Sequence, residues 1–134
     1  MAQSLVKTFA TLGLDGHVIT IEADANRSLP TIEIIGLPDA AIKESKERIR
    51  ATFRNLTLEL PPKKIVLNLA PSDIKKVGTQ FDLPMAVAML FLLCGHIHHA
   101  EMLDRTLFFG ELGLDGAVRK VNGLLPAVIG GMKK

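Results

Sequence analysis

Positive charge is concentrated between residues 43 and 64, where seven lysines and arginines stand against three glutamates, a local net charge of +4. Clustered basic side chains are typical of a surface that binds phosphate groups. A solvated helix face has the same composition, and it is the commoner origin of such a run. If the surface does bind nucleic acid, the candidate contacts are Lys46, Arg50, Arg54, Lys63 and Lys64.

A second cluster has the side-chain types of a metal site: His96, His98 and His99, followed by Glu101 and Asp104. Two imidazoles two residues apart could share an ion on an extended loop. However, the chain has one cysteine only, and no histidine pair has the i,i+4 spacing of a helical metal site. A solvated loop is the favoured interpretation, and we predict no metal here.

Signatures of catalysis are missing. No glycine-rich loop leads into Lys-Ser or Lys-Thr, and no G-x-S-x-G elbow is present. Ser45 is expected on the inner face of a helix and Ser72 in a turn, and neither has an evident base. We predict no catalytic residue and no cofactor site in these 134 residues.

Length and composition indicate one domain with a real core, since 48% of the residues are hydrophobic. Aromatic residues make up only 4% and include no Trp or Tyr, which argues against a base-stacking surface. The single Cys94 is expected to be buried and reduced. There is no secretory signal and no apolar run long enough for a membrane, so we expect a cytoplasmic location.

Helices and strands must position these candidate residues, and the hydrophobic pattern predicts the order of these elements along the chain. Alternation predicts two strands around an Asp15-Gly16 hairpin turn, and Asp39 is a good N-cap for the first helix. Asp82 is expected to cap a second, wholly apolar helix, with Pro84 in its first turn. The predicted strands are Ser4–Leu12, His17–Ala23, Thr31–Ile35, a short edge strand Leu56–Leu60, Ile65–Leu69, Thr106–Leu112 and Ala117–Val121.

The remaining segments are three helices and two loops. The predicted helices are Ala40–Asn55, the apolar helix from Asp82 to a C-terminal Gly95, and a last one begun over Leu124–Met132; the loops are Ala70–Gln80 and His96–Arg105. Hairpins come first and strands outnumber helices. This order predicts an α+β fold of two layers, with the helices on one face of a sheet.

Three blocks of residues resemble one family. Residues 66–86 read V-L-N-L-A-P-S-D-I-K-K-V-G-T-Q-F-D-L-P-M-A, close to the N-L-A-P-A-D-x-x-K-x-G-x-x-F-D-L-P-x-A signature of the Mg-chelatase-like AAA+ ATPases, the group with the ComM-type competence proteins. Residues 34–39 and 44–50 resemble the family's V-G-L-P-D…E-S-x-x-R-V-R block. Residues 109–116 match its G-E-L-x-L-D-G hairpin. The blocks keep their order over nearly the whole chain.

The resemblance implies a fold like that of the Lon proteolytic domain and of the second domain of ribosomal protein S five. It implies that residues 1–134 are a single N-terminal domain, cut before an AAA+ module. ATP and Mg would then bind to the full-length protein and not to this domain. The implied partners are the protein's own AAA+ module, neighbouring subunits of a homo-oligomeric ring, and DNA, whose branches ComM-type members migrate.

The likeness to Lon also tests for peptidase activity. The position of the Lon serine corresponds to Gln80 and that of the lysine to Leu125, and neither can perform acyl transfer. We therefore expect a non-catalytic domain; an autonomous nucleic-acid-binding module and a degenerate peptidase are the alternatives. The family signature further marks an interaction loop at Pro71, Asp73, Lys75, Gly78 and Asp82. Two of these residues could instead have a purely structural role, since Asp82 could begin a helix and Gly78 could form a turn at positive φ.

Overall fold

A computed structural model describes residues 2–12, 15–94 and 100–121. Within these residues the elements are β1 (Ala2–Leu12), β2 (Asp15–Asn26), β3 (Thr31–Ile35), α1 (Ala40–Asn55), β4 (Lys64–Ala70), α2 (Asp82–Cys94), α3 (Ala100–Asp104), β5 (Glu111–Leu112) and β6 (Val118–Arg119). The predicted strands β1 to β4 and helices α1 and α2 are confirmed, with β3 and α1 at their predicted bounds.

The first two strands form a long antiparallel hairpin. The predicted hairpin is correct, but its turn is not at Asp15-Gly16, because these residues already pair with Leu12 and Thr11 in the ladder. Residues 13 and 14, which connect the strands, lie outside the described residues. Gly16 has a packing role instead, since a Cβ there would come within 2.4 Å of the Phe9 ring.

The four-stranded sheet has the order β1-β2-β4-β3, which places β4 in its interior and β3 at an edge. β4 runs antiparallel to β2 and parallel to β3. A parallel pair requires a long crossover, and α1 supplies it. Ile65, Leu67 and Leu69 alternate along β4 toward one buried face. The opposite face is polar at Glu22 and Asn68, which hydrogen-bond to each other at 2.6 Å.

Both long helices cover the apolar face. α2 packs across β1 and β2, where the Ser4 hydroxyl donates to the carbonyl of Ala88 at 2.6 Å. α1 lies beside α2 and contributes Ile42, Ile49 and Phe53 to the same core. Ser45 lies on the inner face of α1, as predicted, and the predicted apolar, buried character of α2 is confirmed. The predicted α+β class, with helices packed on one sheet, is confirmed.

Three predicted elements need correction. Residues 56–60 form no strand; they wrap around the end of α1, where the backbone of Leu58 donates to the carbonyl of Phe53 at 2.8 Å. The predicted loop from 96 to 105 contains α3, and the strand predicted over 106–112 is reduced to β5 and a bridge between Leu107 and Lys7. Gly95, the Cys94 side chain and the helix predicted over 124–132 lie outside the described residues.

The β5–β6 hairpin, which the family resemblance implies over residues 109–116, turns at residues 114–116. Gly116, at φ 89°, donates its N–H to the carbonyl of Gly113 at 3.0 Å. The hairpin is held to α1 by the Thr52 hydroxyl, which donates to the same Gly113 carbonyl at 3.2 Å. Among the described residues, no helix is both long enough and apolar enough to cross a bilayer.

Two glycines at positive φ allow a matched test of how closely the backbone at Gly36 approaches β4. At Gly36, φ 100°, a Cβ would lie 2.3 Å from the carbonyl oxygen of Leu69; at Gly116 the nearest atom would be 3.4 Å away. Gly116→Ala should cost about 1–3 kcal/mol of unfolding free energy from the strained φ alone. Gly36→Ala should cost more than about 3 kcal/mol, since the β4 backbone must also move. Urea unfolding checks both, and equal losses would contradict the contact with β4.

Candidate functional site

Two loops that are distant in sequence are joined into one structure, here called the paired loops: residues 36–39 and 71–80. The backbone of Lys76 donates to the carbonyl of Leu37 at 3.0 Å, and Asp39 donates back to Lys76 at 3.1 Å. The carboxylate of Asp39 caps α1 at the N–H of Ile42, at 2.8 Å, as predicted. Its second oxygen accepts from Gly78 N–H at 3.1 Å, so one residue fixes both the helix start and the loop.

Lys76 is the side chain around which the paired loops close. It is only 1% exposed, and its ammonium donates to the carbonyls of Pro71 and, at 2.7 Å, Gly36. Burial lowers the pKa of Lys76 below its ordinary value. The sequence prediction had chosen the neighbouring Lys75, which is exposed. The D-x-x-K-x-G spacing, counted from Asp73, falls on Lys76, and this spacing was the signal that could have identified it.

A second buried group, Asp82, connects α1, α2 and β5. Its carboxylate accepts from Arg48 Nε at 2.6 Å, from the Ser45 hydroxyl, and from the backbone N–H of Leu112 at 3.1 Å. The hydrogen bond to Asp82 raises the pKa of Arg48 above its already high ordinary value. Asp82 was predicted to cap its own helix; its carboxylate instead faces α1 and β5, where a buried charge can be paired.

The predicted interaction loop therefore divides into two parts. Pro71, Asp73 and Lys75 are exposed and Gly78 is partly exposed, so these four lie at the surface of the paired loops. Asp82 is fully buried and lies beneath them. Gln80 turns its amide back onto the carbonyl of Val77, at 3.2 Å. Leu125 lies outside the described residues, as do His96, His98 and His99. The described residues contain no cluster of His, Cys, Asp and Glu that could hold a metal ion.

The predicted basic residues line a depression, here called the basic groove, between α1 and the edge strand β3. It consists of two clefts of about 630 and 480 Å³ that share Thr31 and Ile32 of β3. Arg50, Arg54 and Lys63 line the larger cleft.

The smaller cleft contains the other two predicted residues, Lys46 and Lys64, together with Lys43. Lys64 pairs with Glu33 at 3.0 Å. Arg48 belongs to the same run of charge but lines neither cleft, because it binds Asp82. The structure thus brings all five predicted residues to one surface and adds Lys43, which sequence reasoning had not singled out.

Comparison with known proteins identifies the relatives of this chain. The profile of the family described as subunit ChlI of Mg-chelatase matches residues 21–134. An uncharacterized protein of Mycobacterium tuberculosis is 41% identical over 129 residues, 96% of this chain and 25% of the relative. The uncharacterized protein YifB of Escherichia coli is 38% identical, and competence protein ComM of Haemophilus influenzae is 34% identical. Each of these two matches covers 99% of this chain and 26% of the relative, so the chain spans about a quarter of their length.

The buried ion pair gives a stability prediction with an internal control. Asp82→Asn leaves the guanidinium of Arg48 without its charged partner, and should lower the free energy of unfolding by at least about 2 kcal/mol. Glu44 contacts the same guanidinium at 3.8 Å from the surface, and Glu44→Gln should change stability by less than about 0.5 kcal/mol. Urea unfolding measures both variants; similar small effects would show that the buried contact adds no stability.

Lys76 predicts a particular pH dependence. Its pKa is lowered on folding, so between that value and the ordinary lysine value of roughly 10.4 the unfolded chain binds more protons than the folded one. Stability should therefore rise with pH in this window and be lost as the pH falls through the folded pKa. Lys76→Met should lack the rise, while Lys75→Met should follow the wild type. Parallel curves for wild type and Lys76→Met in urea unfolding would contradict the burial of a charged ammonium.

Proposed function

This chain belongs to the family of subunit ChlI of Mg-chelatase and its ComM-type relatives, and from that premise we propose that it is the non-catalytic N-terminal domain of an ATP-dependent motor. The motor would process DNA in the cytoplasm, by branch migration in the manner expected of ComM-type proteins. ATP and Mg would bind to the part of the motor that follows this domain. The length of the relatives, about four times that of the match, supports such an arrangement.

The observation that supports the non-catalytic role is that two buried ionisable groups are hydrogen-bonded within the domain. Among the described residues, Asp82 and Lys76 are the most deeply buried ionisable groups, and both are satisfied by internal hydrogen bonds. A general base or nucleophile needs a free pair of electrons near a substrate. Here the ammonium of Lys76 donates to two carbonyls, and Gln80, to which the resemblance to Lon assigns the position of the serine, donates its amide to the carbonyl of Val77. These groups hold loops and helices together.

The exposed part of the paired loops is a surface available for contact with the motor. Asp73 and Lys75 present opposite charges on a loop whose backbone is anchored from below by Lys76 and Asp39. A rigid, exposed loop can dock without a large ordering cost. We propose that it contacts the motor's own ATPase module and a neighbouring subunit in a homo-oligomeric ring.

A chimera tests this role. The matched quarter of ComM in Haemophilus influenzae is either deleted or replaced by this chain, and transformation frequency is measured in cells without other ComM. We expect the chimera to transform at least about ten-fold better than the deletion, since docking losses of 1–3 kcal/mol correspond to such factors. A chimera no better than the deletion would contradict the proposal.

The same chimera locates the docking surface. Reversing the loop charges with Asp73→Lys and Lys75→Glu should lower transformation toward that of the deletion, because unlike charges at an interface fix its register. Lys120→Glu reverses an exposed lysine outside the paired loops and should have no effect. Unchanged transformation with the reversed loop would assign docking to another face.

A further inference from the structure

We propose that the basic groove binds an extended, acidic segment of another protein that carries apolar side chains and adds to the sheet beside β3. The proposal does not depend on the motor role, because it concerns a surface of the domain itself. Three features of the groove point to the same occupant: the free strand edge, the apolar floor and the cationic rim.

The first feature is the edge. β3 lies at the end of the sheet order, and in the described part of the chain its backbone pairs with β4 alone. The smaller cleft follows β3 through Thr31, Ile32, Glu33 and Ile34. The backbone groups on this outer side can pair with one more extended strand, which is how many peptides are recognised.

The second feature is the floor of the larger cleft. Its accessible apolar surface comes from Leu58 and the partly buried Leu60, because the core residues Ile32, Phe53 and Ile65 beneath them are only 1–4% exposed. Leu58 is 40% exposed, yet its backbone is fixed by the bond to Phe53, and Thr57 before it turns the chain at φ 55°. An exposed apolar side chain on a fixed backbone offers a ready contact for an apolar residue.

The third feature is the rim. Arg50, Arg54 and Lys63 line the larger cleft together with Glu59, and Lys43, Lys46 and Lys64 line the smaller one together with Glu33. Among the described residues, Lys64 is the only one of these cations that forms an ion pair. The uncompensated charge favours an acidic occupant.

Nucleic acid would use only the third feature. Phosphates can contact the rim, but an apolar floor offers them nothing, and stacking needs an exposed aromatic face. Phe53, the aromatic side chain in the lining, is only 4% exposed. An extended peptide that carries acidic and apolar residues would use all three features, since its backbone can pair with β3 while its side chains contact the apolar floor and the cationic rim.

The test is fluorescence anisotropy with a labelled nine-residue peptide that alternates glutamate and leucine, at about 0.15 M salt. A nine-glutamate peptide and a single-stranded oligothymidine are the comparison probes. We expect the alternating peptide to bind at least about ten-fold more tightly than either, because only it fills the floor. Backbone N–H groups of β3 should also gain protection from hydrogen exchange when it binds.

Variants separate rim from floor. Arg54→Glu should weaken binding of the alternating peptide about ten-fold or more, and Leu58→Ser about three-fold or more. The matched controls are Lys120→Glu and Leu114→Ser, exposed residues outside the groove, and they should change binding less than about two-fold. No binding of the peptide, or tighter binding of oligothymidine with Leu58→Ser unaffected, overturns the proposal, and the second result assigns the groove to nucleic acid. Either result leaves the transformation test of the motor role unaffected.

Discussion

The carboxylate of Asp82 is the constraint on which the arrangement of the helices depends. A fully buried charge is tolerated only where it is paired and hydrogen-bonded, and Asp82 meets this condition with groups from two other elements. Arg48 approaches from α1 and Leu112 from β5, while Asp82 itself begins α2. Because each partner must reach the same two oxygens, the two helices and the hairpin have little freedom to move relative to one another.

The paired loops extend this constraint to the start of α1. Asp39 ends the first loop, caps the helix and accepts from Gly78 of the second loop. The ammonium of Lys76 hydrogen-bonds to the carbonyl of Gly36 and so joins the two loops. Because Gly36 has no Cβ, the first loop can lie against the backbone of β4. α1 is therefore held at its first residue by the loops and in its middle by Asp82. Polar residues of the types found in reactive centres serve here to join loops and helices by hydrogen bonds.

The functional surfaces are consequences of that fixed helix. With Ile42, Ser45 and Ile49 turned inward, the helical period directs Lys43, Lys46, Arg50 and Arg54 toward the edge of the sheet. The segment after α1 then folds back over Phe53 and forms the wall of the groove. The exposed loop and the groove lie on different parts of the domain, so one protein partner need not exclude the other.

Much of the fold was predictable because its signals are local. Alternation along β4 and the capping residue Asp39 act over a few residues, and β3 and α1 have their predicted bounds. The strand predicted over 56–60 was wrong because a local pattern does not show what a segment packs against. Its apolar alternation is real, but the segment packs on the end of α1 instead of pairing with a strand. Likewise Asp15-Gly16 has turn chemistry, yet the Phe9 ring explains the glycine.

For this protein the sequence by itself determined the order of β1 to β4, α1 and α2, the family, and the position of the positive charge along the chain. Only the tertiary structure decided which charges are buried. Lys75 and Lys76 are indistinguishable by composition, and the difference arises from Gly36, 40 residues away. Arg48 is one of seven basic residues in its run. It does not line the basic groove, because its guanidinium hydrogen-bonds to Asp82, 34 residues further along the chain. Burial depends on which distant segments meet, and that contact is a property of the folded chain.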